Sequence, residues 1–265
     1  MNPPPQHGAL YLVPTPLDFG CPTPHPAPLG QWLPSETLAC ASRLTHWITE
    51  NAKSTRAFLK RVQAETGLAA PLQSQHMVEL ARAAHKAGDH VIDAASEAQA
   101  RLLLAPALLG NDIGLVSEAG LPAIADPGSS VVRAAHALGL RVLPLVGPSA
   151  LLLALAASGL NGQNFAFVGY LPQAAPARAQ RLRELQALAL QTGQTQLFIE
   201  TPYRNSAMLQ SLLHTLQAHT RLAVCCALTL PEQSCRSALL SDWKKNPHWQ
   251  GELPLQAPAV FLLGR

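Results

Sequence analysis

The stretch from Ile113 to Ala157, IGLVSEAGLPAIADPGSSVVRAAHALGLRVLPLVGPSALLLALAA, constrains the fold more than any other part of the chain. Ile113 to Val116 is an apolar run of strand length. Ser117 to Gly128 then sets Gly120, Pro122, Pro127 and Gly128 around two acids, Glu118 and Asp126, and that density of Gly and Pro breaks regular structure. Ser129 or Ser130 is placed to cap a helix in which Val131, Val132, Ala135 and Leu138 recur at helical spacing. Gly139 stands where a helix end needs left-handed backbone. Val142 to Val146 reads as the next strand, and Gly147-Pro148-Ser149 turns it into a wholly apolar helix, Ala150 to Ala157. The order strand, loop, helix, strand, loop, helix predicts α/β architecture, with both strands expected as neighbours in one parallel sheet. Ligands of open α/β sheets sit at the carboxyl ends of strands. Read alone, these loops serve equally as tight turns.

Composition narrows the class. The 265 residues are 48% hydrophobic and 13% charged, which excludes a disordered chain and suits two modest domains or one large one. The formal charge of +3 permits an anionic partner without demanding one. No apolar run reaches the roughly 18 residues of a membrane span. The N-terminal MNPPPQHG has no basic residue leading into an apolar core, so no secretion signal is expected. The five cysteines, Cys21, Cys40, Cys225, Cys226 and Cys235, include no C-x-x-C pair and read as small buried hydrophobes of a reducing, cytoplasmic compartment. His214 and His219 lie off one helical face, there is no H-E-x-x-H, and no metal is expected.

Along the chain, Ala9 to Val13 reads as a first strand running into Pro14-Thr15-Pro16-Leu17 and a proline-rich coil to Pro34. Ser35 is a candidate N-cap for a helix through Ala41. His46 to Glu50 reads as a strand, followed by a basic helix carrying Lys53, Arg56, Lys60 and Arg61. Those cations suit phosphate contact, though composition alone favours a solvated basic face. Gln75 to Ala87 has the spacing of an amphipathic helix, His90 to Ile92 that of a short strand, and Ala98 to Leu109 that of a helix interrupted at Pro106. After a turn-rich hinge, Phe165 to Tyr170, Gln196 to Glu200, Leu222 to Leu228 and Ala259 to Gly264 read as strands. Helices are expected over Arg178 to Leu190, Ser206 to Gln217 and Ser237 to Lys244. The expected division is 1–147 and 148–265, with the hinge within 147–165.

Five short motifs in order carry a resemblance. They are Val13 to Pro16 (VPTP), Ser117 to Gly128 (SEAGLPAIADPG), Val146 to Ala150 (VGPSA), Gly169 to Pro172 (GYLP) and Phe198 to Arg204 (FIETPYR). Together they resemble the tetrapyrrole methylase superfamily of S-adenosylmethionine-dependent methyltransferases, within it most the branch of ribosomal RNA small subunit methyltransferase I. The resemblance spans about residue 10 to the end. It implies two α/β domains with the cofactor, S-adenosyl-L-methionine, in the cleft between them, a homodimer, no metal, and RNA of the small subunit as partner; no membrane partner is expected, from the lack of a span-length apolar run. It places cofactor contacts at Pro16, Leu17, Ser117, Glu118, Ala119, Ile124, Ser149, Ala150, Glu200 and Leu228.

The chain departs from the branch at several points. Glu118 replaces Asp, Val146 replaces Pro, Asp18-Phe19 replaces Gly-Asn, Glu50-Asn51-Ala52-Lys53 replaces Glu-Asp-Thr-Arg, and Ala227-Leu228-Thr229-Leu230 lacks both charges of Glu-Leu-Thr-Lys. Methyl transfer from a sulfonium needs mainly positioning. A hydroxyl acceptor favours a nearby base, for which Glu50, Lys53, Glu118 and Asp126 are the candidates. Three activities stay open: 2′-O-methylation of ribosomal RNA, C-methylation of a corrin-type ring, and cofactor binding without turnover.

Overall fold

The computed structural model describes residues 7–18, 27–81 and 94–265. The chain divides into two compact units, Met1–Pro148 and Ser149–Arg265.

In the first unit, β1 (Leu10–Val13), β2 (His46–Thr49), β3 (His76–Glu79), β4 (Ile113–Val116) and β5 (Val142–Pro144) form a sheet in the order β3-β2-β4-β1-β5. Every pairing is parallel. The two strands of the organising stretch are therefore not neighbours: β1 lies between them, with Leu10 opposite both Ile113 and Val142.

Successive side chains of a strand face opposite ways, and the two cores follow that alternation. Leu10, Ile48, Ile113 and Leu115 pack with α3 (Ala94–Leu103), α4 (Ala105–Leu108) and α5 (Ser129–Ala137). Val13, Trp47 and Val116 pack with α1 (Ser35–Arg43) and α2 (Ala52–Thr66). Covering both faces is what near-continuous apolar strands require. Gly114 is forced by this packing, because a Cβ there would sit 2.5 Å from the Trp47 ring and 3.2 Å from Leu44 Cδ1. Gly114→Ala is expected to destabilise the protein by about 1–3 kcal/mol through overpacking, read as a lower midpoint in urea with an unchanged slope.

Further expectations are corrected in this unit: Ser35, expected as an N-cap, is the first residue of α1, with Pro34 at the cap position. Residues 76–79, expected within a helix from Gln75 to Ala87, form β3, an edge strand whose Val78 is 52% exposed; pairing with β2 overrides the local helical spacing. The rest of that helix and the strand His90 to Ile92 fall outside the described residues. The helix expected from Ala98 to Leu109 is two, the second carrying Pro106 in its first turn, where the missing N–H costs nothing. Gly128, at φ 136°, occupies the N-cap position, and Ser129 opens α5.

In the second unit, β6 (Phe165–Tyr170), β7 (Thr195–Glu200), β8 (Arg221–Cys226), β9 (Ser234–Leu239) and β10 (Ala259–Gly264) are ordered β6-β7-β10-β8-β9. Only β6 and β7 pair in parallel. One face packs on α6 (Ala150–Ser158) through Ala154 and Leu155. The other packs on α7 (Ala175–Thr192), α8 (Asn205–Thr215), α9 (Leu240–Lys245) and α10 (Trp249–Glu252). The helix expected over Ser237 to Lys244 begins only at Leu240. Asp242 in its first turn and Lys244 and Lys245 in its last are real helix-end signals, but the residues before them pair with β8.

Candidate active site

Three loops leave the carboxyl ends of β1, β4 and β5, and glycine lets them touch. The backbone N–H of Thr15 donates to Gly120 O at 3.0 Å and that of Gly120 donates back to Thr15 O at 3.1 Å, a two-way bridge. Gly120 has φ 79°, and a Cβ there would lie 3.1 Å from Leu17 Cδ2 and 3.5 Å from Pro148 O. A Cβ on Gly147 would lie 2.3 Å from Pro14 Cγ. Thr37 Oγ1 donates to Val146 O at 2.8 Å, which fixes the third loop to α1. The segments carrying Pro16, Leu17 and Ser117 to Ala119 are thus held together, and Pro148 leads directly into Ser149 and Ala150 at the start of α6.

Side-chain exposure sorts these residues. Pro16, Leu17 and Ser117 are buried, Ala119 is half-buried and Glu118 is exposed. Ile124 is 50% exposed. Ala123 and Ala125 on either side of it have φ 63° and 67°, left-handed backbone that costs an L-residue on the order of 1 kcal/mol. An exposed apolar side chain thus sits between two residues of strained backbone.

The acids gather beside this loop. Glu50 Oε2 accepts from the Glu118 backbone N–H at 3.0 Å, and Glu118 Oε1 accepts from Asn51 Nδ2 at 2.6 Å. Asn51 Oδ1 in turn caps α2, accepting from the backbone of Lys53 at 2.9 Å, and Glu79 Oε1 accepts from Ala52 N at 2.8 Å. An Asn cap and a carboxylate at a helix N-terminus both stabilise it. Half-buried Asp126 is pushed up to about 7, first by burial and then by the charge of Glu50; a hydrogen bond from Ser117 offsets part of the rise, and Glu118 adds to it.

On α2, Lys53, Arg56 and Lys60 are exposed and fall at i, i+3 and i+7, one helical face. Arg61 differs from these three in being tied within the unit. Its Nη1 donates to Asp18 Oδ2 at 2.5 Å and its Nη2 to Ala27 O at 3.0 Å, so its charge is used within the unit.

In the second unit, the side chain of Glu200 ends β7 2% exposed, its Oε1 accepting from Arg204 Nη2 at 2.6 Å, Arg204 Nε at 2.9 Å and Thr201 N at 2.7 Å. That carboxylate shapes the turn after the strand. Leu228 is half-buried between Ala227 (φ 51°) and Thr229 (φ 71°), the second loop with two left-handed non-glycine residues around one apolar side chain. Among the described residues, no three or more His, Cys, Asp or Glu gather as metal ligands.

Sequence reasoning missed Asn51, whose position between a strand and a helix is itself an N-cap signal. It also missed Arg204, four residues after Glu200. The alanines at positive φ carry no such signal.

The family model of Tetrapyrrole (Corrin/Porphyrin) Methylases matches residues 45–243. The chain belongs to the tetrapyrrole methylase family. Among curated relatives, the Ribosomal RNA small subunit methyltransferase I of Xylella fastidiosa (strain Temecula1) is 34% identical over 218 residues, 82% of this chain and 67% of that protein. The protein of the same name from Pseudomonas aeruginosa (strain PAO1) is 38% identical over 137 residues, 51% of this chain and 47% of that protein. The match to that relative thus spans about half its length. The crystal structure of the methyltransferase CobJ shares the fold, with a TM-score of 0.54 at 19% identity over 97% of this chain and 94% of that one.

Proposed function

We propose that this tetrapyrrole methylase is an S-adenosylmethionine-dependent enzyme that 2′-O-methylates ribosomal RNA of the small subunit. The observation that carries the reading is a set of glycine-pinned strand-end loops with an exposed row of three cations on the helix that follows β2. The relatives named as ribosomal RNA small subunit methyltransferases support it.

The residues fit the cofactor's chemistry. At Gly120 the loops approach so closely that a Cβ would crowd Leu17; we assign the backbone of Glu118 and Ala119 to meet a nucleoside, with Pro16, Leu17 and Ser117 packed directly behind it. Ile124 offers it an apolar surface. Ser149, Ala150, Glu200 and Leu228 belong to the same proposed set. When bound, S-adenosylmethionine supplies a methyl group on a positively charged sulfur. Glu118 is of opposite charge to it, and so is Asp126 in its ionised form. Of the four base candidates, Asp126 is assigned the proton of the acceptor hydroxyl, since an acid near 7 transfers protons best near neutral pH. Glu50 and Glu118 hold the backbone N–H of Glu118 and the side chain of Asn51, and Lys53 belongs to the RNA-facing row.

Lys53, Arg56 and Lys60 are assigned to phosphates. Changing all three to glutamine should weaken RNA binding and shallow its log–log salt dependence by roughly 0.7–0.9 for each phosphate no longer neutralised. An unchanged slope in a filter-binding titration would remove them from the interface. The reaction itself is tested with tritium-labelled cofactor and purified small subunits. Label should appear in ribose of the RNA; label passing instead to a free tetrapyrrole, or to neither, would contradict the reading.

The reading includes a cytoplasmic location and a homodimer. Among the described residues no helix is long and apolar enough to cross a membrane. Leu152 and Leu153 on α6 are 52% and 40% exposed on a helix with no charged residue, a surface suited to a second copy. Sedimentation of the free protein should give twice the chain mass.

A further inference from the structure

Cys225 on β8 and Cys235 on β9 stand directly opposite each other in an antiparallel pair. Such residues are about 4.5 or 5.5 Å apart at Cα, depending on their place in the ladder. Both separations lie inside the roughly 4.4–6.8 Å that a disulfide spans. Facing residues of a ladder also project from the same side of the sheet.

The two thiols differ in access. Cys225 is 1% exposed, lies under α6, and its Sγ donates to Ala154 O at 3.7 Å. Cys235 is exposed on the edge strand of the sheet. Cys226, next in sequence, projects into the opposite core and faces Ser234, so register excludes it from the pair. Burial, and then a hydrogen bond with Cys235, push the Cys225 thiol up, and burial pushes Cys226 up to about 12. Neither buried thiol is an initial target for an oxidant, whereas Cys235 is open to one.

We propose that Cys225 and Cys235 form a reversible thiol–disulfide couple, with Cys235 as the thiol that meets the oxidant and Cys225 as the one that resolves it. With a hydroperoxide, the Cys235 sulfur attacks the peroxide O–O bond and becomes a sulfenic acid as one oxygen leaves as water or alcohol. The Cys225 sulfur then displaces hydroxide from that sulfenic acid, the S–S bond forms, and its thiol proton leaves with the hydroxide as water. Two electrons pass from the sulfurs to the peroxide. A dithiol reverses the step. The bond would join the neck of the loop that holds Ala227 and Thr229 at positive φ, and its formation removes the thiol proton that now reaches Ala154 of α6.

The test is stoichiometric hydrogen peroxide on the purified full chain, then alkylation in denaturant and peptide mapping. The couple predicts one linked peptide joining Cys225 to Cys235, lighter by two hydrogens than the sum of its parts, with loss of two alkylatable thiols and full recovery after dithiothreitol. Cys226→Ala should keep the link. Cys235→Ser, at an exposed position, should fold and abolish it. Accumulation of sulfinic or sulfonic acid on Cys235 with Cys225 still alkylatable would overturn the proposal, as would a link to Cys226 or no reaction.

Discussion

With Asp126 as the proposed base, Asp126→Asn is expected to lower the methyl-transfer rate by about 10²–10⁴, the contribution of a positioned general base. The wild-type rate should rise roughly tenfold per pH unit below about 7 and level off above it, as Asp126 loses its proton. The variant should lack that limb. Single-turnover rates at saturating cofactor separate this from weaker binding. The stability effect has the opposite sign. In the fold the Asp126 carboxyl titrates near 7 against an ordinary 3.8, so ionising it opposes folding. That cost is absent below about pH 4, grows as pH rises toward 7, and is complete above it. Partial solvent access limits it to the order of 1–3 kcal/mol. The variant should therefore be more stable than wild type at pH 8 and equal to it at pH 4. A slower enzyme that is more stable only at the higher pH identifies a carboxylate held against its own preference.

Arg204→Ala should cost about 3–5 kcal/mol, because it leaves a buried carboxylate without its counter-charge. The Glu200 side chain is 2% exposed and its bonded oxygen takes two of its hydrogen bonds from Arg204. The loss is a large fraction of the roughly 5–15 kcal/mol that holds a domain folded. Exchanging both partners, Glu200→Gln with Arg204→Met, should recover much of it. Urea unfolding of both variants decides the matter: equal losses would show that the pair itself, not the orphaned charge, carries the stability.

How much of this was legible follows from the range of the interactions involved. The alternation from Ile113 to Ala157 was readable because apolar runs and Gly/Pro breaks are local signals. The edge strands β3 and β9 were not, since HMVE and SCRSAL are half-polar and gain strand geometry only from β2 and β8. The place of β1 between β4 and β5 is set by pairings about a hundred residues apart or more, such as Leu10 with Ile113 and Val142, on which local spacing is silent. At the site, the Gly/Pro loops and their acids stood out in sequence. That Arg61 is tied to Asp18, and that Glu50 raises Asp126, are interactions across the fold. The left-handed alanines around Ile124 could not be read at all, because alanine gives no advance notice of positive φ.

The proposed chemistry requires that the pinned strand-end loops receive a sulfonium nucleoside. Isothermal calorimetry with S-adenosylhomocysteine, on protein shown to be folded by circular dichroism, measures that directly. The account predicts saturable binding at one site per chain, lost or much weakened in Gly120→Val. No heat up to about 1 mM ligand, where even a site worth about −4 kcal/mol would half fill, or equal binding by the Gly120→Val protein, would contradict it.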